Sequence, residues 1–411
     1  VVGGWHATVR PDDCITFADA VCLGEADHSL MRLVDSFMEQ DHQALLECPG
    51  FWFHGADGGL KKNPPLPLIT DLDALPWRDY EHPDKWQLDR GRVVPGDPMK
   101  DDPLFQITGT IGCPQRCSFC HNSFQSPAPG PRLRFRSVSS ILAELNARRQ
   151  ANPSIRRVRF DDEIFGLDRL WLEEFARRWP REGGLPFDFL SEPSVVTEAY
   201  ADLLQQAGAT NVHLGIQSAD SVNLRSLDRR ASKGLTLTAV QRLVRRDIAM
   251  RYLVMVDIPE VTEEEKYELF RFFQQVPREY DLYLFSLTHF PGTRMVEQKL
   301  ASGELRPEEV EGLAQKTFRQ YRVDLAYPRP PADTWWIALM VLQSSGMVPR
   351  RVLGEVARRE LYKHRPGPVV RAATAATLFK SARVAGRMLR QGELTHTLVR
   401  RWWNSKTMIT I

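Results

Sequence analysis

One stretch of the chain decides the fold, and it reads Gly112-Cys113-Pro114-Gln115-Arg116-Cys117-Ser118-Phe119-Cys120-His121-Asn122. It gathers three of the six cysteines within eight residues, in the spacing C-x3-C-x2-C. A predicted strand ends shortly before it. Three thiolates on one tight loop can hold three corners of a cubane iron–sulfur cluster. Because no cysteine follows Cys120, one iron of such a cluster would stay open for a substrate or cofactor.

The cysteines leave two other interpretations open. One is a structural zinc site with His121 as fourth ligand, although the spacing is poor for the usual two-plus-two arrangement. The other is a chance cluster. Cys14, Cys22 and Cys48 are dispersed, and we expect them to be buried or free thiols. Since the N-terminus has no export signal pattern, a metal site is favoured over a disulfide framework.

Length and composition limit the class of protein. A chain of 411 residues is expected to form two or three domains. With 43% apolar and 26% charged residues, it is typical of a soluble globular protein, and disorder, collagen-like structure and a disulfide scaffold are excluded. Because the net charge is only +2, the chain as a whole is not a polycation, and no nucleic-acid partner is expected. No stretch approaches the ~18 apolar residues of a spanning helix, so a cytoplasmic location is expected.

Strands alternate with helices over residues 102–320, and the cysteine loop follows the first predicted strand. Ser137 and Thr197 are predicted to cap two of the helices, and Gly208 to end the second. Such alternation predicts parallel strands joined by right-handed crossovers, in either an open doubly wound sheet or a barrel-like sheet. The predicted strands are 104–109, 155–160, 187–190, 212–216, 253–256 and 282–287.

Polar residues follow five of these strands. Parallel α/β folds place their sites at the carboxyl ends of strands, so the pattern indicates one shared site. The alternative is that these residues only form turns and helix caps. The segments are Asp161-Asp162-Glu163, Ser191-Glu192-Pro193, Gln217-Ser218, Asp257-Ile258-Pro259 and His289-Phe290-Pro291-Gly292-Thr293.

The cysteine spacing, with the aromatic Phe119 before the last cysteine, resembles the radical S-adenosylmethionine (SAM) superfamily over most of residues 102–300. The resemblance implies an α/β fold with a partial (β/α)6 TIM-like barrel. It implies a [4Fe–4S] cluster on Cys113, Cys117 and Cys120, whose open iron chelates SAM. An external reductant such as flavodoxin or ferredoxin would supply the electron that releases a 5′-deoxyadenosyl radical.

The same resemblance assigns SAM contacts to the strand ends. The family's Gly-Gly-Glu segment is replaced here by Asp161-Asp162-Glu163, and its Gly-x-Pro-Gly segment by Asp257-Ile258-Pro259-Glu260. Arg229 is also open to interpretation as an exposed arginine at a helix start, and His289 as an acid/base group or part of the wall. The implied cofactor contacts are Phe119, Asp161, Asp162, Glu163, Glu192, Gln217, Ser218, Arg229 and Asp257.

Residues 1–54 are similar to the later part of the cobalamin-binding domains that precede some radical SAM cores. The similarity lies in Val1-Val2-Gly3-Gly4-Trp5-His6-Ala7-Thr8 and in Gly24-Glu25-Ala26. It implies a partial Rossmann-like fragment in which Gly3 and Gly4 lie against the corrin of cobalamin. We expect the chain to begin inside that domain, so that alone it would not hold cobalamin firmly.

The remaining segments are predicted to be a linker and a helical region. Prolines and charges fill residues 55–101, which predicts a linker along the surface. Residues 321–411 are expected to be helical, with Asp333 capping the run 335–342. From residue 351 onwards, 13 Lys and Arg accompany 3 Asp and Glu. This is either a solvated basic face or a contact for an anionic substrate, a partner or a membrane surface.

The favoured function is that of a cobalamin-dependent radical SAM methyltransferase acting on an unactivated carbon or phosphorus of a small-molecule or natural-product substrate. A radical SAM oxidative cyclase or rearrangement enzyme without methyl transfer is the first alternative. A non-catalytic iron–sulfur redox or binding module is the second. The open coordination position and the carboxylates at strand ends both favour an enzyme.

Overall fold

The computed structural model describes residues 1–390 except 56, 90, 125–127, 218–226, 229–231, 259–260, 278–279, 315, 317, 322–324 and 326. The predicted contacts Ser218 and Arg229 lie outside the described residues. The strands of this part are β1 (Ala20–Cys22), β2 (Phe51–His54), β3 (Leu60–Lys62), β4 (Trp86–Asp89), β5 (Arg92–Pro95), β6 (Leu104–Ile107), β7 (Thr110–Ile111), β8 (Arg134–Phe135), β9 (Arg157–Phe160), β10 (Phe187–Ser191), β11 (Ala209–Gln217), β12 (Ala249–Val256) and β13 (Asp281–Ser286).

Helices are found in every part of the described chain. They are α1 (Trp5–Val9), α2 (Pro11–Cys14), α3 (Asp27–Met38), α4 (His42–Leu46), α5 (Val138–Ala151), α6 (Arg169–Glu182), α7 (Glu198–Ala207), α8 (Lys233–Val244), α9 (Glu263–Gln275), α10 (Arg294–Ala301), α11 (Pro307–Ala314), α12 (Phe318–Tyr321), α13 (Pro331–Ser344), α14 (Arg350–Arg358) and α15 (Gly367–Arg390). Short 3-10 turns lie at Leu72–Ala74, His121–Ser123 and Pro193–Val195.

The chain divides into two compact units. Unit 1 consists of residues 1–76, 111–136 and 289–315, and it contains the cysteine loop. Unit 2 consists of residues 77–110, 137–288 and 316–411, and it contains the strands of the predicted barrel.

A six-stranded parallel sheet is the centre of unit 2. Its strand order is β13-β12-β11-β10-β9-β6, so each strand lies beside its neighbour in the alternating series. All five strand pairs are parallel. The sheet curls into a half-barrel, which confirms the predicted partial (β/α)6 barrel and excludes the open doubly wound alternative.

Two helices of unit 2 begin and end where local chemistry predicts. The Ser137 hydroxyl accepts from Ser140 N at 3.0 Å and caps α5, and the Thr197 hydroxyl accepts from Tyr200 N at 3.1 Å and caps α7. Gly208 follows α7 in the left-handed conformation, with φ of 84°. The capping predictions at these three residues are confirmed.

Aromatic side chains fill the space between α6 and the sheet. Phe160, Phe165, Phe175 and Phe187 are fully buried, and their rings meet at centroid distances of 4.6–5.6 Å. Most of these pairs are tilted or edge-to-face, the arrangement that aromatic rings prefer. This core holds the C-terminal ends of β9 and β10 in a fixed position.

Unit 1 contains a small antiparallel sheet, in the order β1-β2-β3, with helices on both faces. Val21 packs with Ala7 and Cys14 on one face, and Cys22 packs with Leu33 on the other. The alternation follows from the two-residue period of a strand. The apolar run Val1-Val2 before the Gly3-Gly4 turn suits a strand, but it forms only one parallel bridge, between Val2 and Val21.

Several details differ from the sequence-based expectations. The prediction that Asp333 caps its helix is wrong, because α13 begins at Pro331, a residue whose fixed φ suits a first helical position. Leu30, Leu33, Val34 and Phe37 are spaced in the sequence for one helix face, but in α3 Leu33 is buried and the other three are exposed. The proline-rich segment 55–101 also contains β3 and the hairpin β4–β5.

No helix in the described part of the chain is long and apolar enough to cross a bilayer.

Candidate functional site

The cysteine loop begins with a turn that only glycine can make. Gly112 has φ of 97°, and a Cβ there would collide with the carbonyl oxygen of Arg132. A side chain at this position would therefore meet both steric overlap and an unfavourable backbone conformation. Strands β7 and β8 pair with each other and bracket the loop at its two ends.

Backbone hydrogen bonds hold the loop in place within unit 1. Cys120 N donates to Cys117 O at 3.1 Å, which closes a turn between these two cysteines. The carbonyl of Ser118 accepts from Met295 N at 2.8 Å, and the carbonyl of Arg116 accepts from Arg294 Nη2 at 2.6 Å. The start of α10 therefore fixes the middle of the loop.

The thiols of the chain fall into two groups. Cys113 and Cys120 are half-buried and Cys117 is 7% exposed, whereas Cys14, Cys22 and Cys48 are at most 3% exposed. Burial raises the pKa of all three of the latter, to about 11 at Cys22. Across the described residues, no group of three His, Cys, Asp or Glu side chains converges on one metal position. Three thiols on one anchored loop fit a cluster in which each thiolate binds a different iron.

The N-terminal helix packs on the segment that follows the cysteines. The Trp5 ring lies 4.9 Å from the His121 ring and 5.2 Å from the Phe124 ring, between centroids. Gly292 lies so close to Val9 that a Cβ would overlap with its side chain. Sequence reasoning missed this cluster, since no pattern links residue 5 to residue 121.

A buried ion pair ties the Gly24-Glu25 turn to β8. Arg134 Nη1 donates to Glu25 Oε2 at 3.0 Å, and Arg134 Nη2 donates to Glu25 Oε1. Glu25 also accepts from Ile69 N at 3.1 Å. The Arg134 side chain is 5% exposed and that of Glu25 is 27% exposed, so the pair is largely shielded from water.

Gly3 and Gly4 present bare backbone at the start of α1. Gly4 has φ of 91°, and a Cβ there would meet no atom within 4 Å. Both residues are exposed. This open backbone fits the approach of a flat ligand such as the corrin of cobalamin.

The three carboxylates that follow β9 differ in burial and in their partners. Asp162 is fully buried, and its Oδ1 accepts from Gly109 N at 2.7 Å. Burial is the main reason that the pKa of Asp162 is raised to about 7, and the neighbouring Glu163 contributes in the same direction. Asp161 is exposed and paired with Arg159 at 2.6 Å, and Glu163 is half-buried. A ligand can reach Asp161 and Glu163 but not Asp162 without rearrangement.

The ends of β10, β11 and β12 lie at the same edge of the sheet. Glu192 is buried and accepts from the Ser194 hydroxyl. Gln217 and Asp257 have φ of 59° and 55°, a left-handed conformation that is unusual for residues other than glycine. Such backbone strain clusters at functional sites, and here it recurs at the ends of two adjacent strands.

Asp257 is held by an arginine from the C-terminal region. Arg329 Nε donates to both carboxylate oxygens of Asp257 at 3.1 Å, and the Arg329 side chain is 6% exposed. The charge of the Asp257 side chain is thus balanced by Arg329. Its backbone has a left-handed conformation that glycine adopts readily.

Lys316 lies at the end of β13. Its Nζ donates to the Ser286 hydroxyl at 2.9 Å and to the Leu287 carbonyl. Burial lowers the pKa of Lys316. Sequence reasoning missed Lys316 and Arg329, because both come from a segment without a motif. Their position after the last strand of the sheet was the one feature that could have indicated them.

A cavity of about 330 Å³ lies between the end of β12 and the first turns of α9 and α13. Its wall is mostly apolar and includes Ile258, Leu269 and Trp336. Two ion pairs belong to its lining: Lys266 pairs with Asp333 at 2.5 Å, and Arg329 pairs with Asp257 at 3.1 Å. Its size is in the range of small-molecule sites.

Fold and site together define a class: a parallel half-barrel whose first strand leads into a loop with three cysteines, with polar groups at the ends of the following strands. Residues 107–273 match the family described as the Radical SAM superfamily. Residues 107–273 thus form a radical SAM domain, and the enzymes of that superfamily use a [4Fe–4S] cluster and SAM.

Three similar proteins are methyltransferases or cobalamin-dependent enzymes by name. The uncharacterized methyltransferase PH0819 of Pyrococcus horikoshii is 25% identical over 315 residues, which cover 74% of this chain and 64% of that protein. The radical SAM methyltransferase TsrM of Kitasatospora setae, with cobalamin and a [4Fe–4S] cluster bound, has a TM-score of 0.55 at 17% identity and covers 92% and 82% of the two chains. The cobalamin-dependent radical enzyme OxsB, with aqua-cobalamin and SAM bound, has a TM-score of 0.58 at 14% identity and covers 100% and 71%.

These likenesses have different weight. At 14–17% identity, the solved structures share the fold. The match with PH0819 covers 74% of the present chain but only 64% of the length of PH0819.

Proposed function

We propose that this protein is a cobalamin-dependent radical SAM methyltransferase that methylates an unactivated carbon or phosphorus of a small molecule or natural product. The observation that supports it most is the contact of Trp5 with His121 at 4.9 Å. Trp5 follows the Gly3-Gly4 backbone proposed to face cobalamin, and His121 follows the last cysteine. The contact brings the two cofactor motifs of unit 1 together, as a transfer between two cofactors requires.

The cysteine loop has the role of cluster ligand in this proposal. Cys113, Cys117 and Cys120 hold the [4Fe–4S] cluster, and Gly112 and the start of α10 fix the shape of their loop. When bound, the cluster and SAM supply a 5′-deoxyadenosyl radical, and cobalamin carries the methyl group. An electron comes from a reductant such as flavodoxin or ferredoxin in the cytoplasm.

The strand ends of unit 2 are proposed to hold SAM. Glu163 is assigned to the amino group because it is half-buried at the strand end, whereas the carboxylate of Asp161 is paired with Arg159. Asp162 positions Gly109, one residue before β7. The proposed contacts with the rest of SAM are Phe119, Glu192, Gln217, Ser218, Arg229 and Asp257.

The domain assignment remains part of the proposal. It comprises a partial cobalamin-binding fragment (1–54), a linker (55–101), the radical SAM core (102–320) and a helical C-terminal region (321–411). The names of PH0819, TsrM and OxsB support methyl transfer and cobalamin for the first and third of these segments.

Anaerobic product analysis tests the proposal. The full-length protein is reconstituted with iron and sulfide and incubated with SAM, a reductant and cobalamin. Formation of both 5′-deoxyadenosine and S-adenosylhomocysteine is expected. 5′-Deoxyadenosine alone would contradict methyl transfer and favour the cyclase or rearrangement alternative, and neither product in the presence of a cluster would contradict the enzyme.

A matched pair of variants tests the SAM assignment. Glu163→Gln is expected to raise the KM for SAM by at least tenfold, because the amide loses the charge that attracts the ammonium group. Asp161→Asn, two positions earlier, should leave the KM for SAM within about twofold. Equal effects of both substitutions would refute the separate roles.

A further inference from the structure

The last described helix, α15, has a composition unlike the rest of the chain. Its 24 residues include no Asp or Glu and five Lys or Arg. One side packs on the protein: Val369, Ala373 and Ala376 are at most 7% exposed. The spacing of these residues by three and four places them on one side of a helix. The opposite side faces away from unit 2.

The outer side of α15 carries large apolar side chains. Leu378, Phe379 and Leu389 are 59%, 53% and 63% exposed. Leu378 and Leu389 are eleven residues apart, about three helical turns, so they point in the same direction along a length of about 16 Å. Phe379 lies about 100° further round the helix from Leu378. Single exposed apolar residues are common, but these three form one broad patch, which indicates an interaction.

Arginines lie beside this apolar patch. Arg371 lies two turns before Leu378 on the same side, Arg390 directly follows Leu389, and both are exposed. Lys380 is turned to the protein, where its Nζ donates to Tyr280 O at 2.7 Å and pairs with Asp281 at 2.8 Å. The positive charge of the outer side therefore comes from arginines, whose long stems can lie on an apolar surface while the guanidinium reaches outward.

We propose that the outer face of α15 (Arg371, Leu378, Phe379, Leu389 and Arg390) docks on the surface of an anionic lipid membrane. Exposed apolar side chains beside exposed arginines fit a surface that has negative charge and an apolar layer directly beneath it. The headgroup region of an anionic membrane has this structure. Nucleic acid offers phosphates but no cover for leucine and phenylalanine. The helix lies on the membrane in this proposal. The inference does not depend on the proposed reaction, and it deepens the sequence-based alternative for the basic C-terminal region.

Vesicle co-sedimentation tests the proposal with the full chain. Vesicles of phosphatidylcholine and phosphatidylglycerol in equal parts are compared with vesicles of phosphatidylcholine alone, at low and high salt. We expect at least tenfold tighter binding to the anionic vesicles, and a loss of most of that binding at high salt. The double variant Leu378→Asp/Phe379→Asp and the double variant Arg371→Glu/Arg390→Glu should each reduce binding at least tenfold.

A control on another helix makes the test specific. Leu170 is 77% exposed and Arg177 is exposed, both on α6. The variant Leu170→Asp/Arg177→Glu changes charge and apolarity in the same way and should bind vesicles as the unaltered protein does. Circular dichroism verifies that each variant is folded. Equal binding to both kinds of vesicle, binding unaffected by the α15 variants, or tighter binding to duplex DNA than to anionic vesicles would each overturn the proposal.

Discussion

The ring of Trp5 packs against the ring of His121, with 4.9 Å between their centroids. Phe124 meets the same indole edge-on at 5.2 Å. Trp5 directly follows the glycine pair at the start of the chain, and His121 directly follows Cys120. The contact connects the two segments for which the sequence implies two different cofactors, and both belong to unit 1.

Replacing Trp5 should separate the two cofactor functions. Trp5→Ala removes aromatic contacts worth about 0.5–1.5 kcal/mol per pair, so the glycine pair loses its support on the loop. We expect the full-length variant to retain less cobalamin after gel filtration while its iron content is unchanged. Trp86→Ala, at a tryptophan that is 64% exposed in a hairpin, is the control and should change neither. Full retention of cobalamin by Trp5→Ala would refute the role of the contact.

The ion pair of Glu25 and Arg134 should contribute strongly to the stability of unit 1. Arg134→Ala leaves the Glu25 carboxylate partly buried without its cation, and breaking a buried pair costs about 3–5 kcal/mol. Because Glu25 is 27% exposed, the lower end of that range is expected in denaturant unfolding of the cluster-free protein. Arg169→Ala removes an exposed pair on α6 and should cost less than about 0.5 kcal/mol. Similar losses for both variants would contradict the account.

Gly112 should be indispensable for the cysteine loop. In Gly112→Ala the added methyl group overlaps with the Arg132 carbonyl, and the backbone keeps a φ that alanine disfavours. We expect the variant to take up less than a tenth of the iron of the unaltered protein during reconstitution. Gly312→Ala, in α11 where a Cβ meets no atom within 4 Å, should take up iron normally. Normal iron uptake by Gly112→Ala would show that the loop tolerates a different path.

Asp162 should make stability depend on pH in a defined direction. Its folded pKa of about 7 lies above the ordinary value of 3.8, chiefly because of burial. The folded protein therefore binds the proton more tightly than the unfolded chain, and this group lowers stability as pH rises from about 4 to about 7.

Asp162→Asn keeps an oxygen for Gly109 N and carries no charge, so it should remove that dependence. The free energy of unfolding of the variant relative to the unaltered protein should rise between pH 4 and pH 7, by up to about 4 kcal/mol. Denaturant unfolding of the cluster-free protein at several pH values measures it. A constant difference across this range would show that Asp162 stays ionised in the folded state.

The barrel could be predicted from the sequence because its signals are local. Each strand is a short apolar run, and caps such as Ser137 and Thr197 act on neighbours three residues away. Helix α13 shows the limit of such reasoning: Asp333 has the right chemistry for a cap, but Pro331 starts the helix earlier, and Asp333 instead binds Lys266.

The missed contacts join residues that are far apart in the chain. Arg134 pairs with Glu25 across 109 positions, and Arg329 pairs with Asp257 across 72. No periodicity or spacing reports such pairs, since either partner alone resembles an ordinary surface charge. The exposure of Val34 and Phe37 on α3 was also beyond prediction, because an apolar stripe on a helix does not reveal how much of it the neighbouring elements cover.

SAM cleavage by the cysteine variants tests the central claim most directly. The reconstituted full-length protein with SAM and a reductant should release 5′-deoxyadenosine, detected by mass spectrometry. Cys117→Ala should lose the cluster and at least 99% of this product. Cys14→Ala, at a buried thiol far along the chain from the loop, should retain both. Undiminished 5′-deoxyadenosine from Cys117→Ala would contradict the assignment of the loop as the cluster site.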